Sequence, residues 1–286
     1  MLSPQQLLAV ASRRRPLRSL REQYELYILD RIEHYKNSIS RDEMMRLADE
    51  AMSDLGDDSE QQFLLTEVLV ATSVDELIKR RLGTPRFESW RKSYPKRRAA
   101  QRDPAKWSLD SSHLVAGLAP RIEPGDAVLV VGSGAESCAY LLAAHDATVT
   151  FLDRDIRVID RAENRISVES LSSTFEGMCV QFGEWIPELP AEFVLVVIDS
   201  GTIAALTPGE RRVLLAELQQ LTLPGGLHAL VPDTLGTGPE GFAGHYAVWQ
   251  RESLPSPGRR LRGAPARGAL FTKPAMADAE RRNARA

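Results

Sequence analysis

The residues of this chain best placed to do chemistry gather around a glycine turn. Val131-Gly132-Ser133-Gly134 closes an apolar run from Ala127 and opens a helix-compatible stretch. Bare glycines let a ligand approach the backbone there. A second apolar run, 148–152, ends at Asp153, whose carboxylate can accept both hydroxyls of a ribose. Arg154 follows it and joins the candidate set, and Asp155 is a rival acid two residues on. Glu184 and Trp185 come after a third run. The acid could take the exocyclic amine of an adenine while the ring stacks on the base, or Trp185 is simply core. The run 193–198 ends in Asp199-Ser200, where polar side chains can face a substrate; these two are the catalytic candidates, and Asp199 is a cofactor-binding candidate as well. This is the layout of a nucleotide-type cofactor site.

NAD and S-adenosylmethionine (SAM) both suit a glycine turn followed about 20 residues later by an acid. Three features favour SAM. Ser137 stands where a dinucleotide site has its third glycine. The chain carries one five-strand set with a hairpin-like ending, as SAM methyltransferases do. The fourth strand ends in Asp199-Ser200. The plainer alternative is that Gly132 and Gly134 only make a tight strand–helix turn. Other chemistries lack their marks: no Gly-x-Ser-x-Gly elbow surrounds Ser133, and the five histidines show no metal-ligand spacing, so no metal is expected. Methyl transfer to a neutral ring nitrogen needs no triad, since the sulfonium is already activated and the protein has to align the nucleophile and exclude water.

Strands alternating with helices must position these residues. Strands are expected at 127–131, 148–152, 178–182, 193–198 and 227–231, with helices at 136–145, 155–169 and 208–222. Continuous apolar strands between helices predict an α/β, Rossmann-like, mostly parallel sheet. Candidates at 246–251 and 269–272 flank a Pro/Gly/Arg loop and would add an antiparallel last strand. The sheet domain spans 126–274, and 275–286 is a polar tail expected to be disordered. Residues 1–82 read as an all-helical N-terminal domain. Ser40-Arg-Asp-Glu43 and Ser73-Val-Asp-Glu76 have the capping-box pattern. Apolar residues repeat at helical spacing around Tyr24, Ile28 and Ile32, then Met44 and Leu47, then Val68 and Leu69. Residues 83–125 read as a basic aromatic linker and a short helix capped by Ser111 or Ser112.

Net charge is −3, but the charge is unevenly placed. Between Lys79 and Lys106 eleven Lys/Arg face only Glu88 and Asp103. Arg86, Arg91, Lys92, Lys96, Arg97 and Arg98 interleave with Phe87, Trp90 and Tyr94. Cations can neutralise phosphates and rings can stack on bases, so this segment is a candidate RNA grip; a solvated linker is the alternative. Cys138 and Cys179 lie in apolar stretches and read as buried free thiols. No apolar run approaches a membrane span, and no signal peptide is expected, which points to a soluble cytoplasmic protein with no membrane partner.

Three stretches resemble the 16S rRNA guanine-N7 methyltransferases that confer aminoglycoside resistance. Ala11-Ser-Arg-Arg and Glu33-His-Tyr-Lys36, with the helix from Ser40, are similar to that family's rRNA-docking domain. Gly83-Thr-Pro-Arg-Phe-Glu-Ser89 resembles its Ser-Thr-Lys/Arg-Glu-Arg segment. Val231-Pro-Asp-Thr-Leu-Gly-Thr-Gly-Pro-Glu-Gly241, then His245-Tyr-Ala-Val-Trp249 and Leu254-Pro255, is similar to its Pro-Thr-x-Ser-Leu-Gly-Gly region with the Asn-Tyr-x-x-Trp and Leu-Pro of that family. The resemblance implies a helical domain before a class I methyltransferase domain, SAM as cofactor and RNA (rRNA or the small ribosomal subunit) as partner. Asp153 matches the family's ribose acid and Glu184 its adenine-side acid. Two departures stand out. Where the family has Asp-Ile-Ala-Cys-Gly-Leu-Asn-Pro, this chain has Val130-Val-Gly-Ser-Gly-Ala-Glu-Ser137; and Asp199 or Ser200 stands where the family has a lysine near the target base. A SAM-dependent methyl or aminocarboxypropyl transferase on a small molecule, and a non-catalytic RNA-binding relative, remain alternatives.

Overall fold

Among the described residues, apolar side chains at helical spacing build the first part of the chain into four helices. The structure, a computed structural model, describes residues 19–55, 63–171, 174–189, 193–232, 239–252 and 268–275. It forms two units, one of Arg18–Arg97 with Arg165–Ser173, the other holding Arg98–Asn164 and the chain from Thr174.

In the first unit, α1 spans Leu20–Ser38, α2 Arg41–Leu55, α3 Phe63–Arg81 and α4 begins at Phe87. Ser19 and Glu22 cap α1 reciprocally. Ser40 accepts from the Glu43 amide at 3.2 Å as α2 begins. The second expected cap is absent: α3 runs straight through Ser73–Glu76. Val70, Val74, Leu77 and Ile78 keep one apolar face going across that serine, and packing of the face outweighs a local capping pattern. The core is Ile28, Ile32, Leu47, Ala51, Val74, Leu77 and Ile78. Val68 and Leu69 lie off it, 64% and 44% exposed.

The expected linker is largely helix. α4 spans Phe87–Gln101 with Pro95 inside it. Phe87, Trp90 and Tyr94 recur at three- and four-residue spacing, which is a helical face. Tyr24 meets Phe87 at 5.4 Å and Trp90 at 5.5 Å, and Trp90 meets Tyr94 at 4.7 Å. Burial of these rings holds the segment helical against its proline. A short α5, Leu114–Leu118, is capped by the His113 side chain and by neither Ser111 nor Ser112.

The second unit is a seven-stranded sheet: β1 Ala127–Val131, β2 Thr148–Asp153, β3 Phe175–Cys179, β4 Phe193–Asp199, β5 Thr222–Val231, β6 Gln250–Glu252 and β7 Ala269–Thr272. Its order is β3-β2-β1-β4-β5-β7-β6. The pairs among β1 to β5 are parallel, and β7 runs antiparallel to both β5 and β6. This is the mostly parallel Rossmann-like sheet with an antiparallel late strand that the alternation implies. Helices α6 (Glu136–Ala144), α7 (Ile156–Val168), α8 (Ser200–Ala204) and α9 (Pro208–Leu221) connect the strands. Val128 to Val131 and Leu195 to Ile198 are completely buried, as central strands covered on both faces must be.

Three strands depart from their expected bounds, and β5 does so by starting at Thr222 where 227 was expected. β3 lies three residues earlier than 178–182, because an edge strand needs no continuous apolar run and this one is only half-buried. β6 keeps only the end of 246–251; residues 239–246 form a 3-10 segment that delivers Phe242 and Tyr246 to the core. Cys138 is buried as expected, but Cys179 is exposed on β3. The tail beyond Ala275, Ala11–Arg14 and Leu254-Pro255 lie outside the described residues.

Candidate functional site at the carboxyl edge of the sheet

Parallel strands put their carboxyl ends along one edge, so pairing alone gathers the candidates. Gly132 follows β1, Asp153 ends β2, Glu184 and Trp185 follow β3, and Asp199-Ser200 join β4 to α8. Ligands in open α/β sheets bind at this edge, where the strand order reverses; here the reversal lies between β1 and β4.

The glycine turn is structurally demanding. Gly132 has φ +92°, and a Cβ there would run into the Thr202 hydroxyl and approach Asp199 Cβ at 3.0 Å. At Gly134 a Cβ would lie within the Asp199 carboxylate, 2.6 Å from its Cγ. The glycines therefore admit two protein side chains as well as any ligand. Val131 and Gly132 are buried, while Ser133 and Gly134 face solvent.

Asp153 is 4% exposed and accepts from the Asp155 amide at 2.8 Å. Burial raises its pKa above the usual carboxylate value, opposed by the Asp155 and Ser133 backbone N–H groups. Two amides do not exhaust a carboxylate's lone pairs, so Asp153 can still accept hydroxyls. Its carbonyl accepts from Val180 N at 2.9 Å, fixing the start of the segment that carries Glu184 and Trp185. Asp155 is differently employed. It caps α7 through Arg157 N at 2.9 Å and pairs with that arginine's side chain at 3.0 Å, which holds its carboxyl below the usual value. Arg154 is exposed, and its carbonyl accepts from the Cys179 thiol at 3.5 Å.

A turn closed by a bridge between Gln181 and Trp185 presents Glu184 and Trp185, both exposed. At 59% exposure Trp185 is not a core residue. Asp199 is 5% exposed and caps α8, accepting from Gly201 N at 3.2 Å and from Thr202 N and Oγ1 at 2.9 and 2.8 Å. Ser200 is fully buried, and its Oγ has no hydrogen-bond partner.

Sequence reasoning missed three supports. Thr202 closes on Gly132 and orients Asp199; an acid with a threonine three residues later is a capping pattern that could have revealed it. Glu136, beside the glycine turn, is held by Arg161 at 3.2 and 2.5 Å and by the Tyr140 hydroxyl. Arg211 donates to the carbonyls of Ile203 and Leu206 at 3.1 and 3.0 Å, tying down the end of α8. A ligand at this edge therefore meets walls that are already fixed.

The six basic candidates separate. Arg86, Arg91, Lys92 and Lys96 are exposed, with Arg91 paired to Glu88 at 2.9 Å. Arg97 lies over the rings of Tyr27 at 4.6 Å and Trp90 at 5.3 Å. Arg98 is 8% exposed and is a structural residue, not a surface cation: it donates to Ala144 O at 2.8 Å and to Asp146 at 2.5 Å. Those acceptors lie at the end of α6 and in the turn before β2, at the sheet's opposite edge. Trp90 is 1% exposed, so no base can stack on it.

Among the described residues no cluster of His, Cys, Asp and Glu could hold a metal ion, and no helix is long and apolar enough to cross a membrane. The strand order, with its reversed late strand, is that of the class I methyltransferase sheet. No protein-family model matches the chain, and no curated protein matches it. Solved structures with a similar arrangement include a TehB-like SAM-dependent methyltransferase from Corynebacterium glutamicum (16% identity, 65% of this chain and 97% of that one, TM-score 0.45). The N-methyltransferase NodS from Bradyrhizobium japonicum (17%, 56% and 92%, TM-score 0.44) is another. So is a SAM-dependent O-methyltransferase from Thermotoga maritima (14%, 56% and 64%, TM-score 0.42). Likeness at this level assigns neither reaction nor substrate, and none of the three is named as an rRNA guanine-N7 enzyme.

Proposed function

We propose that this chain is a SAM-dependent methyltransferase acting on RNA, with guanine N7 of 16S rRNA, as in the aminoglycoside-resistance family or a divergent relative, as the acceptor. The observation that carries the cofactor half is the convergence of a glycine turn, a buried acid with free lone pairs and an exposed Glu-Trp pair on one edge of a sheet in this strand order. In this reading Asp153 accepts the ribose hydroxyls, Glu184 takes the adenine amine and Trp185 stacks on the base. Val131, Gly132, Ser133 and Gly134 offer backbone at the turn, and Arg154 flanks the ribose acid. Bound SAM supplies an activated methyl group. The chain's own work is to align the acceptor with that methyl and to exclude water, which suits a site without a base–nucleophile pair. A base held in a duplex would also have to be extruded, at a few kcal/mol.

The RNA half rests on the resemblance and on the exposed cations Arg86, Arg91, Lys92 and Lys96 of the helical unit. One observation favours the second reading, a SAM-dependent transferase on a small molecule: Trp90, Arg97 and Arg98 are engaged within the protein, so these three members of the basic aromatic segment are unavailable to nucleic acid.

Calorimetric titration with S-adenosylhomocysteine tests the cofactor half. The unmodified protein is expected to bind, and Asp153→Ala to bind about 10- to 100-fold more weakly, the worth of one or two hydrogen bonds to a charged group. No binding by the unmodified protein sinks the cofactor. RNA affinity unchanged by charge reversal at Arg91, Lys92 and Lys96 removes the RNA half and leaves the small-molecule reading.

A further inference from the structure

We propose that Asp199 is the counter-charge for the ammonium of the cofactor's amino-acid end, supplied by β4 because β1 lacks an acid. The proposal rests on the SAM reading of the same site.

Asp199 carries an unbalanced charge. It is buried, and among the described residues it forms no salt bridge. Its three hydrogen-bond donors, Gly201 N, Thr202 N and Thr202 Oγ1, are all neutral. A buried anion without a cation is costly, and proteins retain one where a ligand completes it. A carboxylate has about four lone-pair sites, and three are in use, which leaves one. The negative field is felt nearby: burial first, and then Asp199, push the Cys138 thiol up to about 12.

Placement supplies the second element. The carboxylate lies where a Cβ on Gly134 would be, so turn and acid are fitted to each other, and Gly134 faces solvent where a ligand would arrive. The third element is the neighbouring Ser200, fully buried, whose Oγ has no partner within the protein. Orphaned buried hydroxyls are rare and mark missing partners. Val130, standing where the rRNA methyltransferases carry their strand-end acid, is completely buried between Phe151 and Val197 and cannot serve.

The test removes the charge from each partner in turn. S-adenosylhomocysteine, its analogue with the α-amino group replaced by hydrogen, and 5′-methylthioadenosine are titrated into the unmodified protein and into Asp199→Asn, which keeps a capping oxygen. The unmodified protein should prefer the amine over the deaminated analogue about 10- to 100-fold. In Asp199→Asn the preference should fall to within about threefold, with methylthioadenosine affinity unchanged. An equal preference in both proteins overturns the assignment, and so does an equal loss for all three ligands. The comparison of the first two ligands on the unmodified protein stands even if the variant folds poorly. If the unmodified protein binds none of the three, the SAM reading itself has failed; if it binds the first two equally, only the role of Asp199 has.

Discussion

Replacing Gly134 by alanine places a methyl group inside the Asp199 carboxylate, 2.6 Å from Cγ and 3.0 Å from Oδ2. A carboxylate on a loose side chain would swing away at little cost. This one is held by Gly201 N at 3.2 Å and by Thr202 N and Oγ1 at 2.9 and 2.8 Å, so moving it breaks at least one bond to a charged acceptor. That loss is worth about 1.5–3 kcal/mol, comparable to the usual 1–3 kcal/mol for overpacking. Gly134→Ala is therefore expected to destabilise the protein by about 2 kcal/mol. Asp199→Ala loses a helix cap, about 1 kcal/mol, and removes every atom that the new methyl would meet first. The double variant should then be no less stable than Asp199→Ala to within about 0.5 kcal/mol, a coupling near 2 kcal/mol. Urea unfolding of the four proteins, followed by circular dichroism, reads this directly. Additive effects within experimental error would refute the claim that Gly134 is a glycine in order to admit Asp199.

Other outcomes follow from the same geometry. Trp185→Ala should leave the urea midpoint unchanged, because the ring is 59% exposed, while S-adenosylhomocysteine affinity falls about tenfold; an equal affinity would remove the stacking role. His228 is fully buried between Thr222 Oγ1 at 2.7 Å and the Tyr246 hydroxyl at 2.9 Å, and burial pushes its pKa down to about 3. Its unfolded value is about 6.5, so between about pH 6.5 and 3 the unfolded chain binds the extra proton and stability falls as pH falls, at no more than about 1.4 kcal/mol per pH unit. Above about pH 6.5 this group contributes no slope. His228→Phe should flatten the stability difference between pH 6 and 5 measured by urea titration, and an unchanged slope would show that the ring is not buried neutral. Lys92→Glu with Lys96→Glu should lower the salt slope of log RNA affinity by about 1.4, some 0.7 per phosphate contact. Arg98→Ala should leave that slope alone and destabilise the protein by about 1–3 kcal/mol, because Asp146 and the Ala144 carbonyl each lose one of two arginine donors and keep only Arg102.

How much could be read in advance depended on which physical signal decided each element. Central strands were plain: β1, β2, β4 and β7 fall within a residue of their expected bounds, because burial on both faces demands unbroken apolar runs. β3 was misplaced because an edge strand carries no such demand. The serine at position 73 looked like a cap because capping patterns are local, whereas the face that overrides it is tertiary. α4 was hidden by Pro95 and by charge, although the spacing of Phe87, Trp90 and Tyr94 was in view. Around the site, the residues at strand ends were legible because topology alone brings them together. Thr202, Arg161 and Arg211 were not, since each is defined by a partner 3 to 25 residues away whose approach depends on packing. The split among the cations was equally hidden: nothing in the run of Arg97 and Arg98 says that one faces rings and the other a carboxylate.

The two thiols offer a practical handle. Cys138 is 1% exposed with its pKa pushed up to about 12, whereas Cys179 is exposed and is the register partner of Asp153 on the adjacent strand. Alkylation falls on the accessible thiolate, so a maleimide dye should attach at one position without any engineering. That label would sit beside Asp153, the proposed ribose acid, where its reaction rate and fluorescence would report whether the site is filled. The native chain thus carries its own occupancy gauge.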